Sequence, residues 1–230
     1  MATLTVYPDT GNPGATTVDS YVGRSTDNES LATIIAGAGN TIDSDANALY
    51  TESSTGSSAN TWSGLYRSFM HFDTSPLTAD ASISAAVFSG VKTNNSNTLG
   101  VPGSRTFHMV QSTVVSNNTM AETDKNNVGS VDFGSISYDD FIAGSGYKDI
   151  ALNAAGIANI SKTGVSKFAT RSQYDLNGSF GDTWSSLKSF YIAWKSSSAS
   201  GTTEDPMLTI TYSLGGGGTP ISNLLLLGVG

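Results

Sequence analysis

The sequence predicts an all-β, antiparallel fold, a sandwich or barrel assembled from many short strands. Three observations carry that reading. Short runs rich in Val, Ile, Thr, Tyr and Phe recur between polar loops, as expected for half-buried pleated surfaces. Helix-period stretches are scarce. The run Pro206-Met207-Leu208-Thr209-Ile210-Thr211-Tyr212 alternates strictly, which puts Leu208, Ile210 and Tyr212 on one face. A chain of 230 residues buries enough surface to hold a core without a disulfide or a metal.

The elements follow in order. Thr3-Leu4-Thr5-Val6-Tyr7 alternates and reads as an opening or edge strand, and the Pro/Gly/Asn cluster at 8–14 is a turn. Residues 17–24 form a second strand. Residues 37–61 are polar and Gly/Ser/Asn-rich, with Leu49-Tyr50 the only apolar pair, and read as a long loop insertion. Strands follow at 66–73, 83–91 and 107–114. Asp73 precedes the turn Thr74-Ser75-Pro76, where its carboxylate can accept a backbone N–H. In the strand before it, Phe69 and Phe72 lie an odd number of steps apart and face opposite sides. Lys148-Asp149-Ile150-Ala151-Leu152 reads as a strand and 154–168 as the one helix, with Ile157, Ile160 and Val165 on one face. Residues 169–176 and 189–194 are strands, and 206–212 closes the domain. No repeat of 20–50 residues points to a solenoid or propeller.

Composition excludes several functions. Net charge is −8, and the 11 Lys and Arg are scattered singly, so no nucleic-acid partner is expected. With no Cys, thiolate metal sites and Cys nucleophiles are excluded. Only 13% of residues are charged, and solubility rests on hydroxyls and amides, a surface style at home outside cells. Residues 1–9 lack the basic and apolar regions of a secretory signal, and the Leu run near the C-terminus is too short to span a membrane. An extracellular or virion-surface location reached without a signal peptide is the expectation.

Residues 15–213 resemble a known family. Asp19-Ser20-Tyr21-Val22 in an early strand, Arg67-x-Phe69-x-x-Phe72-Asp73 before a Pro turn, Ile83-Ser84-Ala85-Ala86 opening a strand, Leu152-Asn153-Ala154-Ala155-Gly156-Ile157 entering a short helix, and Pro206-x-Leu208-x-Ile210-x-Tyr212 at the end are similar to DNRLRE-type, carbohydrate-binding-module-like jelly rolls. The resemblance implies a jelly-roll β-sandwich, placed here at 1–214, that binds or displays and carries no particular catalytic residues. Such modules occur in secreted polysaccharide-active enzymes, adhesins and phage virion proteins. They often carry a structural ion between early and late strands.

Site chemistry is sparse. His71 and His108 are the only histidines, both lie in strand-like runs, and no G-x-S-x-G elbow is present. Adjacent carboxylates such as Asp139-Asp140 point to opposite faces when in a strand and are poor glycosidase pairs. No Cys or His cluster calls for a cofactor. Calcium, which takes six to eight oxygens, could draw on Asp19, Asp27, Glu29, Glu204 and Asp205. A glycan site could use Trp62, Tyr66, Tyr174 and Trp184 as aromatic platforms with Asp175 alongside, although such residues more often serve as core anchors.

After the Gly215–Gly218 linker comes an apolar tail, residues 219–230, in which Ile221, Leu224, Leu225, Leu226, Leu227 and Val229 are the assembly candidates. Such a segment can add to a sheet edge of a neighbouring copy, fold back on its own domain, or plug into another virion or surface protein. The functional expectation is therefore a non-enzymatic display subunit, a phage virion decoration, fibre or adhesin with glycan-binding capacity, attached or self-assembled through its tail. The alternative is a secreted carbohydrate-binding module.

Overall fold

The structure, a computed structural model, describes residues 1–9, 15–43, 47–180, 187–197 and 203–215. It is all-β and antiparallel, as expected. The strands are β1 (Ala2–Val6), β2 (Asp19–Glu29), β3 (Thr41–Asp43), β4 (Ala48–Thr55), β5 (Trp62–Asp73), β6 (Ala81–Asn97), β7 (Thr106–Gln111), β8 (Gly134–Ser137), β9 (Tyr147–Ala151), β10 (Val165–Ser172), β11 (Ser189–Lys195) and β12 (Met207–Leu214). They pair in the order β1-β12-β6-β11-β4-β5-β10-β7-β8, with β2 joined to β5 and β3, and β9 joined to β6.

One strand sets the shape. Along one edge β5 pairs with β2 from Trp62 to Met70. Its other edge is shared, Trp62 to Tyr66 pairing with β4 and Ser68 to Asp73 with β10. The sheet must crease there, since two strands cannot occupy one edge without diverging. Beyond the crease β4 lies over β10, and Thr51 hydrogen-bonds both Ser68 (3.0 Å) and Thr170, while Ser53 meets Ser172 at 2.9 Å. The curled sheet thus faces itself across one core. Leu49, Phe190, Ile192 and Trp194 meet Met70, Phe72, Phe107, Met109 and Phe168 there, with Phe107 stacked on Phe190 at 4.7 Å. As the alternation required, Leu208, Ile210 and Tyr212 all face this core. Phe72 joins it too, whereas Phe69 belongs to a second cluster with Val22, Val110, Val114 and Ala169 on the opposite side of β5.

Several local expectations change. Residues 37–61 are not a loop insertion: β3 and β4 occupy much of the stretch, and β4 is interior to the sheet. Its inward positions after Leu49 are Thr51, Ser53 and Thr55, all buried, so the strand lacks an apolar face and escapes a hydrophobic pattern. The single helix expected over 154–168 is α3 (Ala154–Ala158), its first turn capped by the Asn153 side chain. The rest turns at Gly164 into β10, where Phe168 pairs with Met70 and Gln111. Three further short helices appear, α1 (Leu31–Ala36), α2 (Tyr138–Ile142) and α4 (Gln173–Asn177), plus a 3-10 turn at Glu122–Asn126. Residues 173–176, expected as strand, belong to α4, whose N-cap Ser172 accepts the Asp175 N–H. Asp73 takes its expected turn role, accepting the Ser75 N–H at 3.0 Å.

Candidate functional site

At the crease, β2, β3, β4, β5 and β11 bring together four tyrosines that lie far apart in sequence. Register puts Glu52 opposite Tyr66 on one side and Tyr191 on the other. Tyr50 shares their face two residues away, and Tyr21 sits opposite Ser68. Tyr21 meets Tyr50 and Tyr66 edge to face at 5.5 and 5.8 Å, and Tyr50 and Tyr191 lie tilted at 5.6 Å. Tyr21, Thr41, Tyr50, Glu52 and Tyr66 line a cleft of about 220 Å³. Tyr66 has room because a glycine faces it. A Cβ on Gly23 would stand 2.1 Å from the Tyr66 ring, so no larger residue fits there while the ring keeps its place.

The electrostatics of the cleft are one-sided. Burial pushes the Glu52 carboxyl above its usual range, opposed only by a hydrogen bond from Ser54. Burial and then the Asp43 carboxylate push the Tyr21 hydroxyl up, and burial and then neighbouring Tyr50 do the same for Tyr191. These phenols stay protonated and available as donors. The cleft therefore offers ring faces, hydroxyl donors and a carboxylate acceptor, the equipment for holding a polar ring with apolar C–H faces.

Of the residues expected to bind glycans, only Tyr66 lies in the cleft. Trp62 is 0% exposed, packed with Ile34 and Leu65 and edge-on to Phe180 at 5.2 Å. Tyr174 is buried against Phe180 and Phe190. Neither can serve as a surface platform, because their rings complete cores. Trp184 lies outside the described residues. Asp175 is buried at the centre of an ionic cluster. It accepts Arg67 Nε and Nη2 (2.7 and 2.6 Å) and Arg171 Nε and Nη2 (both 2.8 Å). Burial raises its pKa, yet the charge and hydrogen bonds of Arg67, then Arg171, hold it well below the usual carboxylate range. Arg67 Nη1 also donates to the Lys125 carbonyl at 2.5 Å. Burial, then Arg67, pushes the Lys125 ammonium down to about 7. Its Nζ donates to the carbonyls of Ile34, Ile35 and Gly37 at 2.8–3.0 Å, closing the end of α1. This cluster ties α1, α4 and the 3-10 turn to β5 and β10, so its role is structural.

The calcium candidates separate. Glu29 pairs with Arg24, Glu204 pairs with Lys195, and Asp27 is exposed on β2. Asp19 and Asp205 do come together. Both are buried, and after burial it is Asp19 that raises the Asp205 pKa. Asp19 accepts the Ser197 N–H at 2.7 Å and its hydroxyl at 2.8 Å, and Asp205 Oδ1 is buried without a hydrogen bond among the described residues. Of the five, only Asp19 and Asp205 lie together, and no group of three His, Asp or Glu side chains that could hold a metal gathers among the described residues.

His71 is buried between the Asn117 carbonyl (Nδ1, 3.0 Å) and the Ser112 hydroxyl (Nε2, 3.1 Å). Burial lowers its pKa to about 4. Ser112 is itself 3% exposed, so the pair braces β5 against the chain after β7. His108 contacts the Thr106 hydroxyl at 2.7 Å and Asp132 at 3.2 Å. The tail residues Ile221, Leu224, Leu225, Leu226, Leu227 and Val229 lie outside the described residues. No helix among the described residues is long and apolar enough to cross a membrane.

The tyrosines other than Tyr66 escaped the sequence reading because each sits singly in a strand, and pairing alone unites them. A usable signal existed in Tyr50-Thr51-Glu52, since an aromatic and a carboxylate two apart share one strand face. The fold and cleft together define an all-β, curled antiparallel domain with a tyrosine-lined surface cleft. Compared with known proteins, the chain matches no family model and no curated protein.

Proposed function

We propose that the protein is a non-enzymatic display subunit of an extracellular assembly, of the virion decoration, fibre or adhesin kind, and that it binds glycans through the tyrosine cleft. The observation that carries this reading is the convergence of Tyr21, Tyr50, Tyr66 and Tyr191 around Glu52 at the crease. The rings touch in the chain Tyr66–Tyr21–Tyr50–Tyr191, and each contact restricts the rotamers it joins, which lowers the entropy cost of holding a ligand. The resemblance to carbohydrate-binding-module-like jelly rolls favours the same ligand class. The tail from residue 219 supplies attachment, and the Asp19–Asp205 pair is where a structural calcium would bind.

A glycan array probed with the full chain tests the reading. Hits that disappear in Tyr50→Ala and Tyr66→Ala, with folding intact by circular dichroism, are expected. No hits, or hits indifferent to both substitutions, would overturn it.

A further inference from the structure

We propose that the ligand of the tyrosine cleft is a glycan unit bearing a protonated amine, an amino sugar, held with its ammonium against Glu52 and its ring on the tyrosine faces. This rests on the glycan reading above and narrows it to one chemical class.

The surfaces lining the cleft share one sign. Aromatic faces carry negative quadrupole charge and attract cations; Tyr21, Tyr50 and Tyr66 line the cleft, and Tyr191 lies beside it against Tyr50. Glu52 lies between Tyr66 and Tyr191 in the register. Among the described residues no Lys, Arg or His forms an ion pair with it, and its hydrogen-bond donor is the neutral Ser54 hydroxyl. A second carboxylate, Asp43, acts on Tyr21 from β3. A half-buried carboxylate without a counter-charge has lost hydration and has recovered here only one hydrogen bond from a neutral donor. A ligand cation supplies the missing partner at a point already shielded from water, where the pair is stronger than on an open surface.

Size and shape restrict the class further. The cleft, about 220 Å³, is below the roughly 300–1,000 Å³ of pockets for drug-sized ligands, and one sugar ring suits it. A small quaternary ammonium would use the ring faces but leave the phenol donor of Tyr21 unused. An amino sugar uses faces, donors and carboxylate together. The net charge of −8 also draws a cationic ligand towards the protein.

The test is calorimetric titration of the full chain at near-neutral pH with three oligosaccharides of equal length: fully N-deacetylated glucosamine, N-acetylglucosamine and glucose. The glucosamine oligomer should bind at least ten-fold more tightly than the other two. Glu52→Gln keeps an acceptor for Ser54 and should remove that ten-fold advantage without lowering Tm. Asp80→Asn makes the same change in net charge far from the cleft and should leave it intact. Equal binding of all three sugars, or a glucosamine preference that Glu52→Gln leaves in place, overturns the amine inference while the glycan reading stands. Binding of none overturns both.

Discussion

Replacing Asp175 by Asn tests whether the buried ionic cluster holds the helical turns to the sheet. Asn keeps the volume of Asp but removes the charge and turns an NH2 group towards guanidinium donors. Arg67, 2% exposed, and Arg171 would lose the carboxylate that receives four of their hydrogen bonds. Breaking a buried pair by removing one partner costs about 3–5 kcal/mol, because an uncompensated charge stays inside. Against a typical total of roughly 5–15 kcal/mol this is a large share. For a domain of this size it corresponds to a fall in Tm of roughly 6–20 °C. Urea unfolding followed by tryptophan fluorescence at neutral pH measures it. The difference from wild type should also shrink in acid. The folded pKa of Asp175 is depressed, so its contribution is fully present above the unfolded carboxyl value and is lost progressively as pH falls from there through the lower folded value. A loss under about 1 kcal/mol, or one that persists unchanged in strong acid, would refute the argument.

Other outcomes follow from the same contacts. His71 has its folded pKa lowered from 6.5 to about 4, so stability is full above the unfolded value and declines as pH falls from 6.5 towards 4. The decline should be about 3 kcal/mol, and His71→Gln, compared by urea unfolding across that window, should flatten it. Gly23→Ala should displace the Tyr66 ring, cost about 1–3 kcal/mol by overpacking and weaken ligand binding. Unchanged affinity and Tm would show that the ring is not confined there. Calcium should raise Tm, by about 2.7 kcal/mol of added stability at one hundred times its Kd, and Asp205→Asn should abolish the rise. Size-exclusion of the full chain against one ending at Gly215 should show the larger species only with the tail present; two identical monomers at high concentration would remove self-assembly through residues 219–230.

How much was legible depended on whether a strand faces the core with apolar side chains. In β12 and at Phe69 and Phe72 of β5 the facing could be read directly, because the residues that enter the cores there are apolar. β4 could not. Its inward Thr51, Ser53 and Thr55 bury hydroxyls that are paid for by Ser68, Thr170, Ser172 and the Lys188 carbonyl, and such partners come from distant sequence. The same limit governed the ligand residues. Trp62 and Tyr174 carry polar handles and flank polar stretches, but a ring in a core and a ring on a platform look alike until neighbours are known. Asp175 was read as a partner for sugars, although it follows Arg171 by four residues, a spacing that brings the two together across the start of α4.

The hydroxyl lining and the tyrosine cleft have one cause. Sharing an edge of β5 between β4 and β10 forces the strands apart, and the inner side of that fork is filled by small side chains. Small hydroxyl residues close it by bonding one another, Thr51 with Ser68 and Thr170, and Ser53 with Ser172. The outer side of β4 opens instead, and there the alternate residues are Tyr50 and Glu52, with Tyr66 and Tyr191 as neighbours. Because the small inner residues are hydrogen-bonded and the outer rings restrain one another, the crease cannot flatten without breaking both sets. The cleft is therefore held open before any ligand arrives. Substituting valine for Thr51, close in shape but without the hydroxyl, should strand the hydroxyls of Ser68 and Thr170. That should cost roughly 1–3 kcal/mol and weaken ligand binding by loosening the crease, although Thr51 lines the opposite face of the strand. A Thr51→Val protein that loses stability but binds ligand with unchanged affinity would show that the two faces are not coupled.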